Sequence, residues 1–359
     1  MTRESRLASR IIPSAALALL AALWAGLVRI GWGLPPLLPA LPGAHGPLLV
    51  CGFLGTVIAV ERAVALNRRW TYVGPLFTGV GALALIVTDT SLGPALMTIG
   101  SLNLVAVCVL IVRRHPALHT AVMGGGALLW MVGNTLWMAG QSIAEATPWW
   151  LGFLVLTIAG ERLELNRVLR LSRGSRGAFL GAVFLLLAGI TASVNVFKAG
   201  TQLAGAGMLT LALWLLRYDI ARRTIKKGGL TGFIAACLLS GYVWLGISGA
   251  LTLRFGGLTA GPYYDAQLHS VFLGFVFAMI FGHAPIIFPA ILGREMAYRS
   301  AFYAHLSLLH FSLLLRLVGD LTGVLPARQW GGLLNVVALL LFLANTVRSL
   351  RPEPRGLAQ

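Results

Sequence analysis

The sequence predicts an all-α integral membrane protein of about twelve transmembrane helices, and three observations predict it. Apolar residues make up 57% of the 359 and charged residues only 11%, whereas a soluble domain carries roughly a quarter charged residues. The apolar residues run unalternated in stretches of about 20, the length a helix needs to cross a bilayer, without the alternation of a membrane-barrel strand. In lipid every backbone amide must be bonded within its own segment, so these stretches are helices. The chain, 1–359, reads as a single transmembrane domain with no segment for a peripheral one.

In chain order the spans fall at 11–32, 45–66, 71–89, 92–112, 118–140, 147–168, 177–195, 199–216, 230–252, 264–290, 300–319 and 329–348. The first follows Arg3, Arg6 and Arg10 with no small-residue cleavage site after it, so it is read as a retained helix and not a signal peptide. Basic residues then mark alternate ends: Arg68 and Arg69 after the second span, Arg113 and Arg114 after the fourth, Arg167 and Arg173 after the sixth. Arg217, Arg222, Arg223, Lys226 and Lys227 follow the eighth, Arg294 and Arg299 the tenth, and Arg348 closes the twelfth. The opposite end keeps Arg29, Lys198, Arg254 and Arg328, and Arg316 lies within the eleventh span. This skew puts both termini in the cytoplasm and agrees with an even number of spans. The longest hydrophilic connections are 34–44, 217–229 and 253–263.

The net charge of +17 would point to nucleic acid in a soluble protein. Here its placement makes it a topology signal, with contact to anionic lipid head groups as a consequence; no nucleic-acid partner is expected. Cys51, Cys108 and Cys237 stand singly in apolar spans and read as buried small hydrophobes, with no disulfide or zinc pattern. There is no Gly-rich nucleotide loop, no Cys-based haem attachment motif and no serine nucleophile elbow.

An internal repeat organises the spans. The second contains Gly52-Phe53-Leu54, Ile58-Ala59 and Glu61-Arg62; the sixth contains Gly152-Phe153-Leu154, Ile158-Ala159 and Glu161-Arg162, each 100 residues on. The tenth contains Gly274-Phe275, Ile280 and, where the others have glutamate, His283. A tryptophan near a glycine recurs in the preceding spans: Trp24, Trp130 and Trp244. The expectation is three parallel four-helix repeats, approximately 11–112, 118–216 and 230–348, in a pseudo-threefold bundle; secondary transporters commonly use inverted repeats instead.

Two of the seven histidines, His45 and His269, lie seven and five residues before the Gly-Phe pairs of the second and tenth spans. At 1.5 Å per residue they share a depth within a few Å, near the outer face. Two neutral imidazoles at one depth on different helices can hold a haem iron from both sides, with Arg29 or Arg254 meeting its propionates. The competing reading is two interfacial histidines bonded to loop carbonyls. Glu61, Glu161 and His283 form a second group toward the cytoplasmic end. Ionisable groups within a bilayer face a cavity or a partner, and one imidazole with two carboxylates is a set that redox iron accepts. The competing reading pairs each glutamate with a neighbouring arginine. His310, deep in the eleventh span, is the better candidate of that span for a buried role and is attached to this second site; His305, five residues earlier, points about 140° away. His115 and His119 share a face but sit beside Arg113 and Arg114, where head-group contact is the expectation, and Asn134 and Gln141 are placed to bond across helices.

The stretch His45-Gly-Pro-Leu-Leu-Val-Cys-Gly-Phe resembles the helix-opening motif of the NnrS family, and His269-Ser-Val-Phe-Leu-Gly with Phe281-Gly282-His283 resembles that family's later motifs. NnrS proteins are twelve-helix bacterial membrane proteins associated with haem, copper and nitric oxide stress. More distantly, the four-helix triplication is similar to the catalytic subunit of haem-copper oxidases, whose second and tenth helices carry the histidines of the low-spin haem. The departures are Pro47 where NnrS has a second histidine, a shorter gap from His269 to His283, Glu-Arg pairs with no counterpart, and no paired histidines of an oxidase copper site.

The resemblance implies a haem-binding protein of the bacterial cytoplasmic membrane acting in nitric oxide or respiratory stress metabolism. His45 and His269 are then axial ligands of haem b. His283, Glu61, Glu161 and His310 form a second site for copper, a second haem or iron, or a small gas ligand. An oxidoreductase acting on nitric oxide or related small molecules is one expectation, with no catalytic residue assigned. The alternatives are a cofactor-free proton-coupled transporter using Glu61, Glu161 and His283, or a membrane assembly factor.

Overall fold

The computed structural model describes residues 3–350 except 89, 170 and 293. Among them the long helices are α1 (Arg3–Arg29), α2 (His45–Leu66), α3 (Val73–Val87), α4 (Leu92–Arg114), α5 (Leu118–Met138) and α6 (Ile143–Leu165). They continue as α7 (Arg173–Ala192), α8 (Phe197–Tyr218), α9 (Gly229–Phe255), α10 (Pro262–Pro289), α11 (Phe302–Thr322) and α12 (Leu325–Ser349). Eleven are long and apolar enough to cross a membrane. The twelfth, α5, has the length, 21 residues, but Gly124, Gly125, Gly126 and Asn134 lower its hydropathy. The fold class is therefore as expected: an all-α integral membrane protein.

Apart from α1, which starts at Arg3 against the expected 11, boundaries lie within a few residues of the sequence expectation. Among the offsets of four residues, α6 starts before the expected 147. There the Ser142 hydroxyl accepts from the Glu145 amide while the Glu145 carboxylate accepts from the Ser142 amide at 2.8 Å. This reciprocal cap opens the helix ahead of its apolar run, and Pro148 lies inside the second turn, where it leaves the Ala144 carbonyl without its intrahelical donor.

Three helices form the centre. In α2, α6 and α10 the apolar windows are 67%, 78% and 72% buried, against 33–56% in the other eight spans of that class. These are the three helices that carry the Gly-Phe pairs. Their neighbours wrap outward, with consecutive pairs such as α5–α6, α7–α8 and α11–α12 packed against one another. Phe53 of α2 and Phe277 of α10 stack at 6.0 Å and 13°, so these two helices face each other across the middle of the bundle.

Two of the central helices are not regular. Leu48–Gly55 in α2 and Ser270–Phe277 in α10 each adopt eight residues of π-helix, and every residue of both stretches is buried. Their starts lie 222 positions apart, as do Gly52 and Gly274. A π stretch fits an extra residue into each turn and is frequently found at functional sites. In both helices it begins within three residues of a histidine, His45 or His269.

Several polar groups inside the bundle are paired across helices. Asn134 donates to the Met97 carbonyl at 3.2 Å and accepts from Trp150 Nε1 at 2.9 Å and from Cys51 Sγ at 3.2 Å, which is the cross-helix role expected of it. All three cysteines are free and buried. Arg162, 3% exposed, meets Asp219, 2% exposed, through two bonds of 2.8 and 2.9 Å, and the Tyr242 hydroxyl donates to the same carboxylate at 2.9 Å. This cluster ties α6, the end of α8 and α9 together.

Candidate functional site

The site begins with two helix starts. His45 is the first residue of α2, delivered by the connection that leaves α1. His269 lies in the second turn of α10, whose start is set by Gly261, at φ +90°, followed by Pro262 in the first turn. A positive φ is open to glycine, and proline is pre-organised for a first helical turn. The two imidazoles meet, with ring centroids 6.2 Å apart and planes 22° from parallel.

Each ring is held through the same atom. His45 Nδ1 lies 2.6 Å from the carbonyl of Ala22 on α1, and His269 Nδ1 lies 3.0 Å from the carbonyl of Asp265, one turn earlier in α10. A carbonyl only accepts, so Nδ1 is the protonated nitrogen in both rings. The Nε2 lone pair of each neutral ring is then free. Fixing one imidazole nitrogen to a carbonyl so that the other can bind a metal is the usual arrangement of a histidine ligand. Gly26 makes room for it: a Cβ there would stand 2.9 Å from His45 Cε1 and 3.1 Å from Nδ1.

Around the pair is a cavity of about 290 Å³. Leu49, Phe272 and Leu273 give it apolar walls, and Arg29, Arg316 and Arg328 bring positive charge. Two of these arginines are paired with carboxylates. Arg316 grips Asp265 in bidentate fashion at 2.8 and 2.9 Å. Arg328 lies 3.5 Å from Asp265 and 2.8 Å from Asp320. Arg29 Nη1 donates to the Pro42 carbonyl at 3.3 Å. Arg254, expected beside Arg29, is not among the cavity residues; its guanidinium lies over the Phe255 ring at 5.1 Å. Arg254 follows the last buried turn of α9, which turns it toward the surface, and Arg316 and Arg328 supply the charge instead.

The second expected group is not gathered into one cluster. Arg62 stands between the two glutamates, hydrogen-bonded to Glu161 and 3.7 Å from Glu61. His283 is bonded through Nδ1 to the Met279 carbonyl in its own helix at 2.7 Å. His310 has both ring nitrogens occupied: Nδ1 accepts from Trp244 Nε1 at 3.0 Å, and Nε2 pairs with the Ser240 hydroxyl at 2.8 Å. His305 is apart again, between Phe281 at 4.7 Å and Phe342 at 5.5 Å. Among the described residues no group of three or more His, Cys, Asp or Glu is placed to hold a metal ion.

Sequence reasoning passed over Asp265, Asp320 and Gly26. Asp265 could have been found: it stands four residues before His269, on the same helix face. Arg316, the arginine placed inside a span, was a second signal, because a buried cation needs a partner. Gly26 gave no signal, since a single glycine in an apolar span is ordinary.

Comparison with known proteins gives two findings. A family model described as "Domain of unknown function (DUF8744)" matches residues 6–351. No curated protein sequence matches the chain. Among solved structures, a chain of a heme-copper terminal oxidase dimer determined by cryo-electron microscopy is similar at a TM-score of 0.67 and 12% identity, over 99% of this chain and 85% of that one. At that identity the likeness shows the fold alone: this chain has the fold of a haem-copper oxidase chain. The family match is to DUF8744 and not to NnrS.

Proposed function

On the premise that the chain belongs to the DUF8744 family and has a haem-copper oxidase fold, we propose that it is a membrane haem protein holding one b-type haem between His45 and His269. The observation that carries this is the facing pair of imidazoles with both Nδ1 atoms tied back and both Nε2 atoms free. The spacing fits the group. Imidazole nitrogens bind a transition metal at about 2.0–2.1 Å, so two rings on opposite sides of one iron have centroids roughly 6 Å apart; here they are 6.2 Å apart. The apolar walls suit a porphyrin, and Arg29 at the rim suits carboxylate groups.

Bound there, the haem would supply one-electron redox chemistry. The protein's part is to fix both imidazoles through Ala22 and Asp265, to seat the His45 ring on Gly26, and to exclude water with the buried π stretches. Held by both imidazoles, the group would suit electron transfer. A copper site has no gathered donors among the described residues, and His310 is engaged on both nitrogens.

The part of this reading that concerns nitric oxide or respiratory stress, and placement in the bacterial inner membrane, rests on the NnrS resemblance of the stretches beginning at His45 and His269. A proton-coupled transporter gains less from the geometry, because Arg62 lies between Glu61 and Glu161 while His283 bonds within its own helix.

The test is an absorption spectrum of detergent-purified protein expressed with ample haem, oxidised and dithionite-reduced, beside His45→Ala and His269→Ala. The expected result is a sharp reduced band of low-spin b haem, lost in both variants. A colourless wild-type protein would overturn the proposal.

A further inference from the structure

The two axial candidates are not equivalent. His45 Nδ1 faces the neutral carbonyl of Ala22. His269 Nδ1 faces a carbonyl and a carboxylate together: the Asp265 main-chain oxygen at 3.0 Å and its Oδ1 at 3.3 Å. That carboxylate cannot swing freely, because Arg316 takes both its oxygens and Arg328 lies 3.5 Å from Oδ1. The chain thus places a negative charge directly behind one imidazole, with a positive charge behind that. Asp265 is 14% exposed and Arg316 11%, so water screens neither well and charge interactions reach further than at a surface.

We propose that Asp265 is a positioning residue that sets the redox potential of the haem through His269, with Arg316 opposing it; this rests on the haem reading above. A carboxylate behind an axial imidazole makes the ring more basic and more electron-donating. That favours the ferric state, which carries one more positive charge, and lowers the potential. Arg316 draws on the same carboxylate and carries the opposite charge, so it offsets the effect. The two charges therefore act in opposite directions on one measurable quantity.

The experiment is a redox titration of purified wild-type protein, Asp265→Asn and Arg316→Gln, with low-spin EPR spectra and melting temperatures recorded beside it. Asp265→Asn is expected to raise the midpoint by at least about 59 mV, a tenfold change in the ferric-to-ferrous ratio at fixed potential for one electron. Arg316→Gln is expected to lower it. The EPR g-values are expected to shift with the donor strength of His269, which loosened packing alone would not do systematically.

Midpoints unchanged in both variants at full haem loading would overturn the inference. So would shifts of the same sign, which would indicate loosened packing. If Asp265→Asn loses its haem, the sign of the Arg316→Gln shift decides alone, a rise overturning the inference. If both lose haem, the pair is assigned to holding the bundle together and the inference is overturned. Failure of the haem reading itself is distinct: it would show as a wild-type protein with no haem band.

Discussion

At the scale of single residues the site depends on contacts with little tolerance. The His45 ring lies where a Cβ on Gly26 would stand 2.9 Å away, closer than non-bonded carbons pack. Gly26→Ala must therefore move the ring and break its bond to the Ala22 carbonyl. The expected outcome is a clear fall in haem bound per protein at a nearly unchanged helix content, read by absorbance and circular dichroism. Full loading in Gly26→Ala would mean that the ring has room to shift. A different residue tests the scaffold. Asp219 neutralises buried Arg162, and removing one partner of a buried pair costs about 3–5 kcal/mol. Asp219→Ala is expected to lower the melting temperature in detergent by several degrees or more, with the haem spectrum of the surviving folded protein unchanged because the cluster is away from the cavity. An unshifted melting temperature would show the pair to be dispensable.

At the scale of elements the notable feature is the pair of π stretches, Leu48–Gly55 and Ser270–Phe277. An α-helix turns about 100° per residue, so the extra residues of a π stretch set the direction of the helix before it relative to the helix after it. In α2 that is His45 against the span carrying Glu61; in α10 it is His269 against the span carrying His283. Deleting Val50 is expected to restore α-helical pitch and swing His45 by roughly 100°, away from His269. The low-spin band should disappear while the protein stays helical and membrane-inserted. Retention of that band would show that the π stretch does not aim the ligand. Neither stretch was legible in the sequence. Both are apolar runs that fit an ordinary span, and the choice of π over α comes from packing against neighbouring helices. The hydrogen bond of His269 to Asp265, one turn back, could have been read from the spacing; that of His45 to Ala22 could not, because it crosses to another helix.

At the scale of the whole molecule, charge and hydropathy make the same statement. With twelve membrane-length helices in strict succession, the connections alternate between the two ends. The basic residues gather at the connections after α2, α4, α6, α8 and α10, so these are expected on the cytoplasmic side. Single cysteines placed at Arg68 and at Gln141, in a background where Cys51, Cys108 and Cys237 are buried, check this by labelling with a membrane-impermeant thiol reagent. Gln141→Cys is expected to label from outside intact cells and Arg68→Cys only after permeabilisation. Labelling of both from the same side would break the alternation. The proposed threefold repeat belongs to this scale too. The three central helices carry the matching Gly-Phe pairs, and the π stretches keep the same 222-residue offset in two of them, while α6 runs as a regular helix.

The sequence by itself determined the solvent of this protein and much of its outline. Composition alone excludes water as the solvent, and run length with backbone satisfaction in lipid gives helices, their number and their approximate ends. These properties depend on local sums over about 20 residues, so no knowledge of neighbours is needed. It also singled out His45 and His269, because helix rise converts residue spacing into depth. Tertiary structure decided what spacing along one helix cannot contain: which faces meet. It brought the two imidazoles to 6.2 Å, gave Arg316 to Asp265, kept Arg62 between Glu61 and Glu161, and sent His310 to Trp244 and Ser240. Each outcome depends on the rotation of one helix against another, which is set by side-chain packing over the whole bundle and, at the site, by two buried π stretches.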